Sequence, residues 1–130
     1  MMFEDEGYKL MGAAFEVYNQ LGYGMAEEIY QQSLEIELEM RGIPFQSKCQ
    51  LTLFYKDRLL NTFYQPDLMV FDAIVVELKA VSELIEDHEA QLFNYMRIAR
   101  TQVGYLINYG MKGQLQWKRF ILTDLHNSEH

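Results

Sequence analysis

Between Tyr64 and Ala80 the sequence YQPDLMVFDAIVVELKA is built for a buried strand and then carries three charges, Asp67, Glu77 and Lys79. Apolar side chains fall on both alternating faces of residues 74–78. A strand with that pattern belongs in the interior of a sheet. Alternation puts Glu77 and Lys79 on the face of Val75, with Ile74, Val76 and Leu78 on the other. A turn at Phe71, Asp72 and Ala73 pairs Val70 with Ile74 and hence Asp67 with Glu77, their β-carbons about 5 Å apart. Two carboxylates that close repel unless a cation sits between them or one keeps its proton. A hard divalent metal resolves this, because Mg²⁺ takes one or two carboxylates together with waters and a phosphate. Lys79 would then lie beside the metal, able to position or help deprotonate a water, or to stabilise charge on a phosphoryl oxygen. The same charges also fit a hairpin edge with a Glu/Lys pair in solvent, and spacing alone leaves both readings open.

The flanking sequence defines the surrounding fold. Met11, Ala14, Phe15, Tyr18 and Leu21 recur at helical spacing, and LGYG then breaks the pattern, predicting a helix and its stop. A second helix is expected from about Met25 to Arg41, with Gly42 as its cap and Pro44 beyond. Its stripes Ile29/Ile36/Met40 and Tyr30/Leu34/Leu38 predict a broad buried face. From Phe45 to Val76 the period shifts toward two. There CQLTLFYKDRLLNTFY predicts two strands joined around Lys56 and Asp57, and DLMVFDAIVVELKA a second hairpin, making four strands or three with one bent. Helical spacing returns from about Asp87 to Arg100, with Leu92, Tyr95, Met96 and Ala99 inward. VGYLINY and KRFILT read as two more strands. This order predicts an α/β fold, a mixed central β-sheet flanked by helices.

With 49% hydrophobic and 23% charged residues and no linker, repeat or low-complexity block, residues 1–130 are expected to form a single domain. No apolar run approaches the ~20 residues of a membrane-spanning helix. The N-terminal MMFEDEGYK is acidic where a secretory signal is basic and then apolar, so no membrane association and a cytoplasmic location are expected. Cys49 is the only cysteine, which excludes an internal disulfide or thiolate cluster and reads as a buried or inert thiol. A net charge of −8 from 11 cations and 19 acids means that any nucleic-acid contact needs locally concentrated cations. Lys56 with Arg58, Arg97 with Arg100, and Lys112 with Lys118 and Arg119 are the candidates. The nine Tyr and eight Phe suit base stacking, but their spacing reads mainly as core.

A second constellation supports the metal reading. Glu27 lies on the stripe of Tyr30, Leu34 and Leu38, which aims a carboxylate toward the packed side of its helix. Its position in the first turn is equally explained by the helix dipole. His88, Gln91 and Tyr95 share a helical face just after the strand that ends in Lys79.

Gly24, Glu27 and Tyr30 spell G-x-x-E-x-x-Y. Together with Pro66-Asp67, the ELK of 77–79 and HEAQLFNYMR from His88, the chain resembles the GxxExxY proteins, a branch of the PD-(D/E)XK nuclease-like superfamily. The likeness runs from about Gly7 to Leu122, and the ordered set is specific where each motif alone is weak. It implies a restriction-endonuclease-like core and a Mg²⁺-dependent phosphodiesterase site, with Mn²⁺ as substitute. By that likeness Asp67 and Glu77 hold the metal, the Leu78 carbonyl is an extra ligand, Lys79 serves the water, and Glu27 joins the metal directly or through water. Gln91 matches a polar position on the following helix. Members often carry a His in the first helix where this chain has Tyr18, so no role is carried over there. Three functions are consistent with these residues: a nuclease for DNA or RNA, a nuclease-fold module that binds protein or nucleic acid without cutting, and a metal-dependent hydrolase or regulatory domain with another substrate. A homodimer is compatible with the sequence, which is silent on oligomeric state.

Overall fold

The structure is a computed structural model that describes residues 2–123. Two helices open the chain, α1 (Glu4–Leu21) and α2 (Glu27–Met40), followed by β1 (Phe45–Ser47), β2 (Leu51–Tyr55), β3 (Arg58–Tyr64), β4 (Leu68–Val70) and β5 (Ile74–Lys79). Helix α3 (Glu86–Ala99) then crosses to β6 (Val103–Asn108), and β7 (Gln116–Ile121) closes the sheet. The main sheet has the order β1-β4-β5-β6-β7, while β2 and β3 form a hairpin of their own. β5 is central, antiparallel to β4 and parallel to β6. The mixed sheet flanked by helices is the α/β architecture that the sequence predicts.

Each face of the sheet is sealed differently. Ile74, Val76 and Leu78 of β5 pack with Leu10 and Val17 of α1 and with Tyr30, Leu34 and Leu38 of α2. Val75 joins Met69, Leu106 and the α3 residues Leu92 and Met96 on the opposite face. α1 starts with Glu4, Asp5 and Glu6, whose charges suit the positive end of its dipole. α2 stops where Gly42 adopts φ 69 and Ile43 N–H bonds the Leu38 carbonyl.

The second apolar stripe of α2 is not buried. Ile29, Ile36 and Met40 are exposed, whereas Tyr30, Leu34 and Leu38 are fully covered and Gln31 is buried beside them. α2 is seated in the crevice between α1 and β5, and the buried arc is centred on Tyr30, Gln31 and Leu34, which turns Ile29 and Ile36 outward. Cys49 is half-buried against the α3 side of the core. Among the described residues no helix is long and apolar enough to cross a membrane.

Candidate metal and nucleic-acid site

The register of the β4–β5 hairpin builds the site. Ala73 N–H bonds the Val70 carbonyl, and Phe71 and Asp72 both take positive φ to close the turn. Val70 then pairs with Ile74 and Leu68 with Val76. One step further, Asp67 stands across from Glu77, where the strands part. Their side chains replace the missing backbone ladder: Asp67 N–H donates to Glu77 Oε2 at 2.8 Å, and Leu78 N–H donates to Asp67 Oδ2 at 2.7 Å. A carboxylate is a stronger acceptor than a carbonyl, so this exchange fixes both acids in place.

Burial makes the pair electrostatically costly. Glu77 is 7% exposed. Desolvation, then the neighbouring Asp67, pushes its carboxyl up to about 8, against the relief from the Asp67 N–H and Lys79. Asp67 is also raised, chiefly by burial, and is eased by the Leu78 N–H, Lys79 and Lys48. Glu27 is exposed at the start of α2, yet its carboxyl is raised by partial desolvation and by Asp67. Glu27, Asp67, Glu77 and Lys79 therefore act on one another at the same end of the sheet, the carboxyl end of β5. The fifth residue singled out from sequence, Gln91, accepts a hydrogen bond from Lys79 Nζ at 3.5 Å and donates to the Tyr95 hydroxyl.

The G-x-x-E-x-x-Y segment has a mechanical explanation. Gly24 sits at φ 88, a conformation that disfavours side chains, and its N–H bonds the Tyr109 carbonyl. Tyr30 stacks on Tyr109 with centroids 4.4 Å apart, while its hydroxyl donates to the Gly22 carbonyl and accepts from Met25 N–H. The loop before α2 is thereby pinned, and Glu27 is displayed at a fixed height above the sheet end.

Four further residues shape the site without having been singled out from sequence. Gln31, one helical turn after Glu27, donates to the Asp67 carbonyl at 2.9 Å. Lys48, at φ 50, donates its N–H to the same carbonyl and its Nζ to Glu28. Asn108, fully buried at the end of β6, holds both the N–H and the carbonyl of Val81, just past Lys79. Tyr64 is 6% exposed, stacks on Tyr95, and leaves its hydroxyl without a partner among the described groups. Burial and then Glu77 raise that hydroxyl strongly, which marks it as a neutral donor close to the acids. The i, i+4 spacing of Gln31 from Glu27 was the one readable signal among these. His88 is elsewhere: its Nδ1 accepts the Ile85 N–H and caps α3.

The donors fit a hard cation that keeps part of its water. The buried Glu77 and the half-buried Asp67, both with raised protonation equilibria, ask for positive charge, and the orphaned Tyr64 hydroxyl adds an oxygen nearby. Among the described residues no group of three His, Cys, Asp or Glu side chains is arranged to hold a metal ion. Glu27, Asp67 and Glu77 are therefore not drawn together as one ligand set, and a cation here would rest on Asp67 and Glu77.

Comparison with known proteins agrees with this architecture. No curated protein matches the chain. The fold is similar to the crystal structure of SSO0001, with a TM-score of 0.59 at 16% identity, over 98% of this chain and 65% of that one. Residues 4–120, which include both helices of the first layer, the whole β4–β5 hairpin and α3, match the sequence profile of the PD-(D/E)XK nuclease superfamily, and the chain belongs to that superfamily.

Proposed function

We propose that this chain is a metal-dependent nuclease that hydrolyses phosphodiester bonds in DNA or RNA, of the GxxExxY branch and acting in the cytoplasm. The observation that carries the reading is the buried Glu77 locked to the half-buried Asp67, with Lys79 two residues on along β5. Asp67 and Glu77 would hold the cation, Mg²⁺ or, in its place, Mn²⁺. Bound there, the cation supplies charge to a phosphoryl oxygen and lowers the pKa of a coordinated water. Lys79 Nζ, steadied by Gln91, hydrogen-bonds the attacking water and offsets negative charge as the phosphorus–oxygen bond to the leaving group breaks. Glu27 orients a water at the mouth, and the Tyr64 hydroxyl donates to an oxygen of the site. Asn108, by gripping Val81, keeps the Lys79 end of β5 from fraying.

The test is incubation of single-stranded, duplex and branched DNA and RNA with Mg²⁺ or Mn²⁺, alongside folded Lys79→Ala and Glu77→Ala variants checked by circular dichroism. Wild type should cut. Lys79→Ala should bind metal as well as wild type, or more tightly, and fail to cut, because the ligands lose a competing cation. Glu77→Ala should lose metal and cleavage together. Cutting by Lys79→Ala at the wild-type rate refutes the assignment. Metal binding with no cleavage of any substrate leaves a nuclease-fold binding module.

A further inference from the structure

The β2–β3 hairpin is exposed in a way that its own stability does not explain. It pairs with no strand of the main sheet, and every residue of β3 from Arg58 to Phe63 is exposed. Phe54, Tyr55 and Leu59 are 62%, 66% and 61% exposed. A lone two-stranded ribbon is marginal in water, and large rings left in solvent mark a surface that meets something. The sequence reading of these aromatics as core is corrected here: only Tyr64, at the root, is buried.

At the tip Tyr55 lies opposite Arg58 and, on the other face, Phe54 lies opposite Leu59. The register shifts between Thr52 and Phe54, beyond which Thr52 pairs with Phe63 and Leu51 with Tyr64 at the root. The tip thus carries an exposed ring with a guanidinium beside it, and Lys56 Nζ lies 5.6 Å from the centroid of the Tyr55 ring. From there the arm runs over roughly 20 Å at about 3.3 Å per residue to Tyr64. Tyr64 stacks on Tyr95 and stands three residues before Asp67. Within a chain of net charge −8, Lys56 and Arg58 outnumber the single acid of the arm, Asp57. A polyanion approaching this acidic protein meets a local excess of positive charge at the tip.

We infer that the hairpin is a substrate arm for an unpaired nucleic-acid strand, stacking a base on Tyr55, pairing phosphates with Lys56 and Arg58, and leading the strand toward Tyr64 and the Asp67/Glu77 pair. The direction of the strand rests on the nuclease reading; the binding does not. An exposed ring recognises the face of a base, which a duplex keeps stacked on its neighbours. Rings interleaved with cations are the pattern by which proteins hold single strands.

Fluorescence anisotropy with labelled oligothymidylate and oligouridylate of about 15 nucleotides, and with a duplex of the same length, tests this in EDTA, where no cutting occurs. The single strands should bind more tightly than the duplex. Tyr55→Ala should weaken them about tenfold. Arg58→Ala should lower the steepness of log K against log salt by about 0.7, one phosphate contact. These residues are exposed, so melting curves of the variants should match wild type. Preference for duplex, no binding of any probe, or affinities unmoved by both changes overturns the proposal. So does a dimer in light scattering that Tyr55→Ala splits into monomers, since a second copy would then be the occupant. Single-strand binding that persists when metal-loaded protein cuts nothing upholds the arm and removes the nuclease.

Discussion

In the absence of divalent metal at pH 8, Glu77→Gln should make the protein more stable. The Glu77 carboxyl has an ordinary value of 4.5 and is held up to about 8 in the fold. Folding then favours the protonated form. Stability is intact below about pH 4.5 and is lost progressively as pH rises through about 8. Each unit is worth about 1.4 kcal/mol, so the span sets an upper bound of about 5 kcal/mol. Glutamine keeps an oxygen to accept the Asp67 N–H and carries no charge, so the variant escapes this loss. Asp67 shares the titration, which spreads the slope across the pair. Urea denaturation from pH 5 to 8.5 in EDTA, followed by circular dichroism, compares the two proteins. Their difference should be small at pH 5 and grow in favour of the variant to a few kcal/mol by pH 8, roughly 4 °C in melting temperature for each kcal/mol. A difference that stays constant with pH, or a variant less stable at pH 8, refutes the idea that burial of Glu77 beside Asp67 is what strains the apo protein.

Asp67→Asn should likewise melt higher than wild type without metal, and Mg²⁺ or Mn²⁺ should stabilise wild type alone, by about 2.7 kcal/mol at a hundred times the dissociation constant, and so raise only its melting temperature. Equal metal effects on both would remove Asp67 from the ligands. Asn108→Ala should cost about 3 kcal/mol or more in urea denaturation, because it orphans the Val81 backbone groups and the Gly110 N–H in a buried corner. An unchanged midpoint would show that this network does not hold the end of β5.

The β4–β5 hairpin was legible because its signal is local. Alternation in DLMVFDAIVVELK and the turn between its halves set a register, and register alone brings Asp67 to Glu77. The helices were legible from period and glycine stops. What escaped depends on contacts far apart in sequence. Ile29, Ile36 and Met40 sit at helical spacing like any core stripe, and only the seating of α2 against α1 and β5 leaves them outside. His88 shares its face with Gln91 and Tyr95, but local capping at Ile85 claims its ring. Tyr64 and Asn108 look like ordinary strand residues until Tyr95 and Val81 are brought against them. The exposure of Tyr55 and Phe54 was hidden because strand propensity does not say whether a ribbon joins the main sheet.

Placing both acids on one short hairpin also bears on how the chain folds. Asp67 and Glu77 are ten residues apart, so the contact that costs most in charge is among the quickest to be sampled. At neutral pH without metal, β4 gains little from closing on β5 before the rest of the core is dry and fixed. β5 can instead nucleate on β6, where six residue pairs from Ile74/Val103 to Lys79/Asn108 carry no like charges, with α3 docking over them. In that order of events the carboxylates would come together after the transition state, and metal or acid would act as a latch, slowing the escape from the native state while leaving the rate of arrival nearly unchanged, which stopped-flow folding and unfolding rates with and without Mg²⁺ would show.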